Sequence, residues 1–167
     1  MIRPAWILGG LLGLAPAVSQ AALLMLVDGI PGPATLSGYT GWFNIENLQW
    51  NIDRSGTTPH RVLVTVEVSA NTALLHQLAA NGSILKRIAI DQVSAQDTSV
   101  ALIARYTCEE PTIRSSTTSH QSDQRGVIAL DIRCSRLAWE YFDYAAGTAK
   151  TLLRQNKGSW NFKTNTP

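Results

Sequence analysis

Residues 61–69 read RVLVTVEVS. Val62, Val64, Val66 and Val68 fall on one face, and Arg61, Thr65, Glu67 and Ser69 on the other, with Leu63 the exception. A period of two in β-branched residues is the signature of a strand with one face buried and one wet. Upstream, GWFNIENLQWNI (41–52) alternates too, but its phase slips. Phe43 and Ile45 are odd-numbered, whereas Leu48, Trp50 and Ile52 are even-numbered. A one-residue slip would turn half of this strand inside out, so the pattern predicts a bulge near Glu46-Asn47.

Downstream, NTALLHQLAANG (71–82) carries the one helical signal. Leu74, Leu75 and Leu78 form a short apolar stripe, with Asn71 placed to cap the start and Gly82 the end. SILKRIAID then predicts a strand with Ile84, Ile88 and Ile90 inward. VALIARYTC (100–108) puts Leu102, Tyr106 and Cys108 on one face, and GVIALDIRC (126–134) puts Ile128, Leu130, Ile132 and Cys134 on one face. The polar stretch SHQSDQ (119–124) lies between them as a turn tip. After Cys134 the phase changes to Leu137, Trp139 and Tyr141, and the chain closes on a strand-like segment around Trp160 and Phe162. The expectation is an all-β domain of seven to nine strands with one short α-helix, coiled by its bulges into a closed β-barrel that leaves no exposed edges.

The 167 residues, 45% hydrophobic and 16% charged, suit one domain with a sizeable core. A net charge of +2 is too small for an electrostatic footprint on nucleic acid or anionic lipid, and the basic residues are scattered. His60, His76 and His120 share no metal-like spacing with one another, with a cysteine or with an acid, and are read as solvent-exposed. Glu109-Glu110 beside Pro111 reads as an exposed bulge, and Asn81-Gly82-Ser83 as a helix end. There is no nucleophile elbow, phosphate-binding loop or dinucleotide fingerprint. The tryptophans and tyrosines are read as core or inter-subunit contacts. An enzyme is not expected, and no cofactor or metal is called for.

The first 21 residues differ from the rest. Arg3 precedes the apolar run WILGGLLGLA, Pro16 breaks any helix, and Ser19 and Ala21 stand at the −3 and −1 spacing of a signal-peptidase site. Gly9, Gly10, Gly13 and Pro16 argue against a membrane-spanning helix, so stable membrane insertion is not expected. The expectation is a signal peptide over 1–21, cleavage between Ala21 and Ala22, and a mature domain over 22–167 that is periplasmic or secreted. Export makes Cys108 and Cys134 candidates for a disulfide. If VALIARYTC and GVIALDIRC are the arms of one hairpin, Cys108 facing Cys134 centres the turn on Gln121, inside SHQSDQ. The bond would close a loop of about 26 residues, for about 3 kcal/mol in the chain-entropy model.

In this order the segments resemble the Hcp family, the haemolysin-coregulated tube proteins of bacterial type VI secretion systems. LMLVDGIPG (24–32) is similar to the family's opening strand and its Asp-Gly-Ile turn, and GWFNIENLQWNI to its second strand. ALLHQLAANGSILKRIAI resembles the helix and the strand after it, CSRLAWEYF an aromatic strand, and GSWNFKTN the closing segment. The resemblance implies a β-barrel with one flanking helix and self-association into hexameric rings that stack as a tube. It further implies contacts with other type VI components or small effector cargo, and no catalytic residue. An exported binding module that reuses the barrel as a monomer is the alternative. The chain departs from the family in its leader and in the shortness of its connection over Asp53–His60, where the family carries a long loop that contacts the next ring.

Overall fold

The computed structural model describes residues 20–52, 60–96, 99–122, 125–145 and 151–167. It contains β1 (Gln20–Val27), β2 (Phe43–Asn51), β3 (Arg61–Glu67), α1 (Thr72–Asn81), β4 (Arg87–Gln96), β5 (Ser99–Glu109), β6 (Thr112–Ser119), β7 (Val127–Arg133), β8 (Arg136–Tyr144) and β9 (Leu152–Asn161). All strands join one antiparallel sheet in the order β6-β7-β3-β2-β1-β4-β5-β8-β9. Closure by hydrogen bonding is not seen: among the described residues β6 and β9 are the sheet's two edges, each with one strand neighbour.

The ladder narrows where β1 meets β2, since only Leu23, Leu24 and Met25 face Ile45, Asn44 and Phe43. This junction divides the sheet into one half made of β2, β3, β7 and β6 and another made of β1, β4, β5, β8 and β9. Both halves contribute to one core. Val62, Val64, Val66, Ile128, Leu130 and Ile132 come from the first, and Met25, Val27, Ile88, Ile90 and Leu137 from the second. Each such side chain is worth roughly 1.5–3 kcal/mol when taken out of water. Burial of this core is what rolls the sheet.

The bulge expected in the second strand is present: Ile45 faces Val66, Asn47 faces Thr65, and Glu46 is skipped. A second bulge was not legible. Gln92 faces Ala104 but Val93 faces Leu102, so Ile103 is skipped. The skip turns Leu102 away from Tyr106 and Cys108 and into a separate small core with Leu24, Ala34, Val93 and Trp42. That core lies on the other side of the sheet, beneath the connection from β1 to β2.

The helix buries Leu75 completely, while Leu74 is 41% exposed. Asn71 does not cap it; its side-chain amide donates to the Pro31 carbonyl at 2.7 Å. The turn before the helix is fixed instead by Thr72, whose hydroxyl donates to the Ser69 carbonyl at 2.6 Å and accepts from the Ser69 N–H at 3.2 Å. Gly82 ends the helix in the left-handed region (φ 65°), with its N–H bonded to the Leu78 carbonyl. Ile84, expected inward, is 71% exposed because β4 begins only at Arg87. Val68 lies beyond the end of β3 and is exposed.

Candidate functional site

The two cysteines meet, though not as facing residues of a hairpin. Cys108 faces Leu137 in the β5–β8 ladder. Glu109 faces Arg136, and beyond the corner Thr112 faces Arg133 in the β6–β7 ladder. The segment β5–β6 and the segment β7–β8 are therefore one long hairpin that passes from one half of the sheet to the other at Glu110-Pro111 and Cys134-Ser135. Its register is offset by three residues from the one that would set Cys108 opposite Cys134. The bend at the corner supplies the approach: the two Cα atoms are 5.2 Å apart, inside the range a disulfide requires, and the sulfurs are in bonding contact. Glu110 makes the bend with φ 46°, and Pro111 has no N–H to leave unpaired there.

Segments remote in sequence gather around this bond. The Ser135 N–H donates to the Glu109 carbonyl at 2.9 Å, and the Phe162 N–H to the Ser135 carbonyl at 2.8 Å. His60, just before β3, donates from Nε2 to the Cys134 carbonyl at 2.9 Å. Its ring lies flat on Phe162, with centroids 3.5 Å apart and planes at 7°. Burial, with a smaller contribution from the charge of Arg133, holds the His60 pKa below its ordinary value, against the pull of the Cys134 carbonyl. Lys163 pairs with Glu110, whose pKa is lowered chiefly by that hydrogen bond. The corner thus ties β5, β7, the approach to β3 and the exit from β9 together.

Two of the three histidines are therefore not solvent-exposed as expected. Besides His60, His76 on α1 is half-buried and meets Ser116 Oγ at 2.7 Å through Nδ1 and Thr118 Oγ1 at 2.9 Å through Nε2, which ties the helix to β6. His120 at the β6–β7 tip is exposed. Among the described residues no three His, Cys, Asp or Glu side chains group as a metal site would need. Among the same residues no helix is long and apolar enough to cross a membrane.

Asp91 is a buried charge that periodicity did not single out. It is fully inaccessible on the side of the sheet away from the main core, and Arg105 on the neighbouring strand grips it with two hydrogen bonds of 2.8 and 2.6 Å. The Tyr39 hydroxyl also bonds to it, and burial followed by the Asp91 charge pushes the Tyr39 pKa up to about 12. This cluster pins the connection between β1 and β2 onto the sheet.

Trp50, from one half of the sheet, stacks on Trp139 of the other at 5.4 Å and leans on Tyr106 at 5.8 Å. Tyr141 extends the cluster and is 41% exposed. On the outer face of the first half, Asn47, Gln49, Thr65, Ser115, Thr117 and Asp131 line a shallow trough of about 330 Å³ around Ala129. On the other half, β8 pairs with β5 only as far as Tyr141, while β9 follows it to Tyr144. A two-stranded ribbon therefore runs past the sheet. It carries the exposed leucines Leu152 (47%) and Leu153 (67%).

The expected leader over 1–21 lies outside the described residues as far as residue 19. Ala21 and Ala22 stand within β1, opposite Ser94 and Val93. The connection over 53–59 also lies outside the described residues.

No protein-family model matches the chain, and no curated protein matches it by sequence. Solved structures do match. Hcp1 from Salmonella typhimurium superposes with a TM-score of 0.74 at 16% identity, over 87% of this chain and 97% of that one. Secreted protein Hcp3 from Pseudomonas aeruginosa gives 0.65 at 10% identity, over 86% and 98%. A type VI secretion system effector from Yersinia pestis gives 0.66 at 8% identity, over 83% and 98%. The structural neighbours of this chain are Hcp proteins of type VI secretion systems, and its fold is theirs.

Proposed function

We propose that the chain is an exported, non-catalytic assembly subunit related to the Hcp tube proteins, and that it associates into rings, hexameric as the resemblance implies. The observation that carries this reading is the pair of sheet edges, β6 and β9, that have no second strand neighbour on one chain. An edge strand is a template for pairing, and natural proteins blunt it with charge, proline or brevity. The ten-residue β9 carries exposed Leu152 and Leu153 and contains no proline, although Arg154 and Lys157 put charge on it. The contact of one edge with a different edge of the next copy is heterologous, and such contacts close into a ring when the rotation allows. In a ring the neighbours would complete the closure that the single chain lacks. Likeness of fold to Hcp proteins over most of both chains supports the same reading.

The export half rests on the leader: cleavage between Ala21 and Ala22 would leave six residues of β1, and the mature domain would run over 22–167. N-terminal sequencing after expression in a bacterial host tests it, and a retained Met1 in the cytoplasmic fraction would contradict it.

Sedimentation velocity at tens of micromolar, a generous concentration for contacts of this type, tests the ring. Rings are expected from the parent chain, and monomer from Leu153→Lys, which adds a charge to the edge. A parent chain that stays monomeric would support the second reading, a monomeric exported binding module. The feature that favours that reading is the trough of polar side chains around Ala129, with the Arg61–Asp131 ion pair in its wall.

A further inference from the structure

The bond between Cys108 and Cys134 sits where the chain crosses between the two halves of the sheet, and the exit from β9 is tied down at the same place. Both cysteines are almost fully buried, at 3% and 4% exposure. Apart from the sulfurs, the corner is held by the backbone bonds of Ser135 to Glu109, Phe162 to Ser135, Glu110 to Lys86 and Leu85 to Pro111, the His60 contact and an exposed ion pair. Phe162 directly follows β9, an edge strand with a partner on one side only. The ladder with β8 sets the course of that edge, and the corner holds its last residues.

We propose that Cys108–Cys134 is a redox latch: the thiol form leaves the corner and the end of β9 loose, and oxidation fixes them and so completes the edge that assembles. The assembly half rests on the ring reading above. The chemistry is thiol–disulfide exchange. The thiolate of one cysteine attacks an oxidising disulfide and releases one thiol. The second cysteine then displaces the other thiol from the mixed disulfide. One sulfur–sulfur bond is exchanged for another. Two electrons pass to the oxidant, and the two cysteine protons end on the two thiols released. In a reducing compartment the latch stays open. A loose edge must be ordered before it can pair, and that entropy is charged against assembly. Once closed, the bond is shielded by burial, so a thiol reaches it only after local opening.

The test compares the purified oxidised chain with the same chain reduced by dithiothreitol and with Cys134→Ser. Glutathione disulfide is then used to reoxidise the reduced sample. Hydrogen exchange reads the latch directly. Protection at Ser135, Phe162 and Thr166 should fall on reduction by about tenfold more than at Val64, whose loss is bounded by the release of the 26-residue loop in the unfolded chain. It should return on reoxidation, while Val64 in the core changes less. Sedimentation reads assembly and should shift from ring to monomer in the reduced and Cys134→Ser samples. Equal protection at these amides in both redox states would overturn the latch. Lost protection with unchanged rings would overturn its coupling to assembly. Monomer in the oxidised sample would overturn the ring reading and the coupling with it, with exchange still deciding the latch. If Cys134→Ser does not fold, the reduced parent chain carries the comparison.

Discussion

Removing Arg105 should cost more than removing Asp91, although the two residues share one ion pair. The side chain of Asp91 is wholly inaccessible, whereas that of Arg105 is 40% exposed. In Arg105→Ala the carboxylate loses both short hydrogen bonds and cannot reach water, which leaves a buried charge with the Tyr39 hydroxyl still beside it. Breaking a buried pair in this way costs about 3–5 kcal/mol. In Asp91→Ala the arginine can swing into solvent, and the loss falls to about 2 kcal/mol, shared between Tyr39 and the packing beneath the β1–β2 connection. Replacing both residues by leucine removes both charges and should recover at least half of the Arg105→Ala loss. Urea unfolding at pH 7, followed by tryptophan fluorescence, gives the three values, and equal slopes are needed for the comparison. An Asp91→Ala loss equal to or larger than that of Arg105→Ala would refute the argument that accessibility sets the cost.

Acidification should weaken the corner: the folded His60 pKa lies below its ordinary 6.5, so the unfolded chain takes up the proton first. The contribution is complete above pH 6.5 and is lost as pH falls from there towards the lower folded value. His60→Gln should reduce the fall in Tm between pH 7.5 and 5.5, and an unchanged pH dependence would contradict this. Leu75→Ala should cost about 2–5 kcal/mol in urea unfolding, because the side chain is fully buried, while Leu74→Ala should stay within about 0.5 kcal/mol. Gly32→Ala should be severely destabilising and lower Tm by more than Gly29→Ala. A Cβ at Gly32 would run into the backbone carbonyl of Trp42, whereas one at Gly29 meets open space and costs only the strain of φ +83°.

Much of the local structure was legible in the residues alone. The valines of β3 and the isoleucines of β7 alternate because each strand has one face on the core. The slip across Glu46 announced its bulge for the same reason. Gly82 ended the helix because it adopts the left-handed conformation without a Cβ penalty. These are properties of a segment and its own periodicity. The partners across space were not legible. Leu102 looked like a core neighbour of Tyr106 until the skip at Ile103 turned it to the other side of the sheet. Ile84 looked inward, but β4 starts three residues later. The side chain of Asn71 had a carbonyl of Pro31 within reach that no local rule could supply. His60 read as a surface residue because Phe162, which covers it, is about a hundred positions away. The candidate functional surface was legible in the same uneven way: the cysteines, the aromatics and the strand count were in the sequence. Which strands became edges, and how Cys108 reached Cys134 despite facing Leu137, depended on the path of the long hairpin from one half of the sheet to the other. Alternation fixes which side of its own strand a residue occupies; what lies against that side is set by chain segments far away, and only their packing decides it.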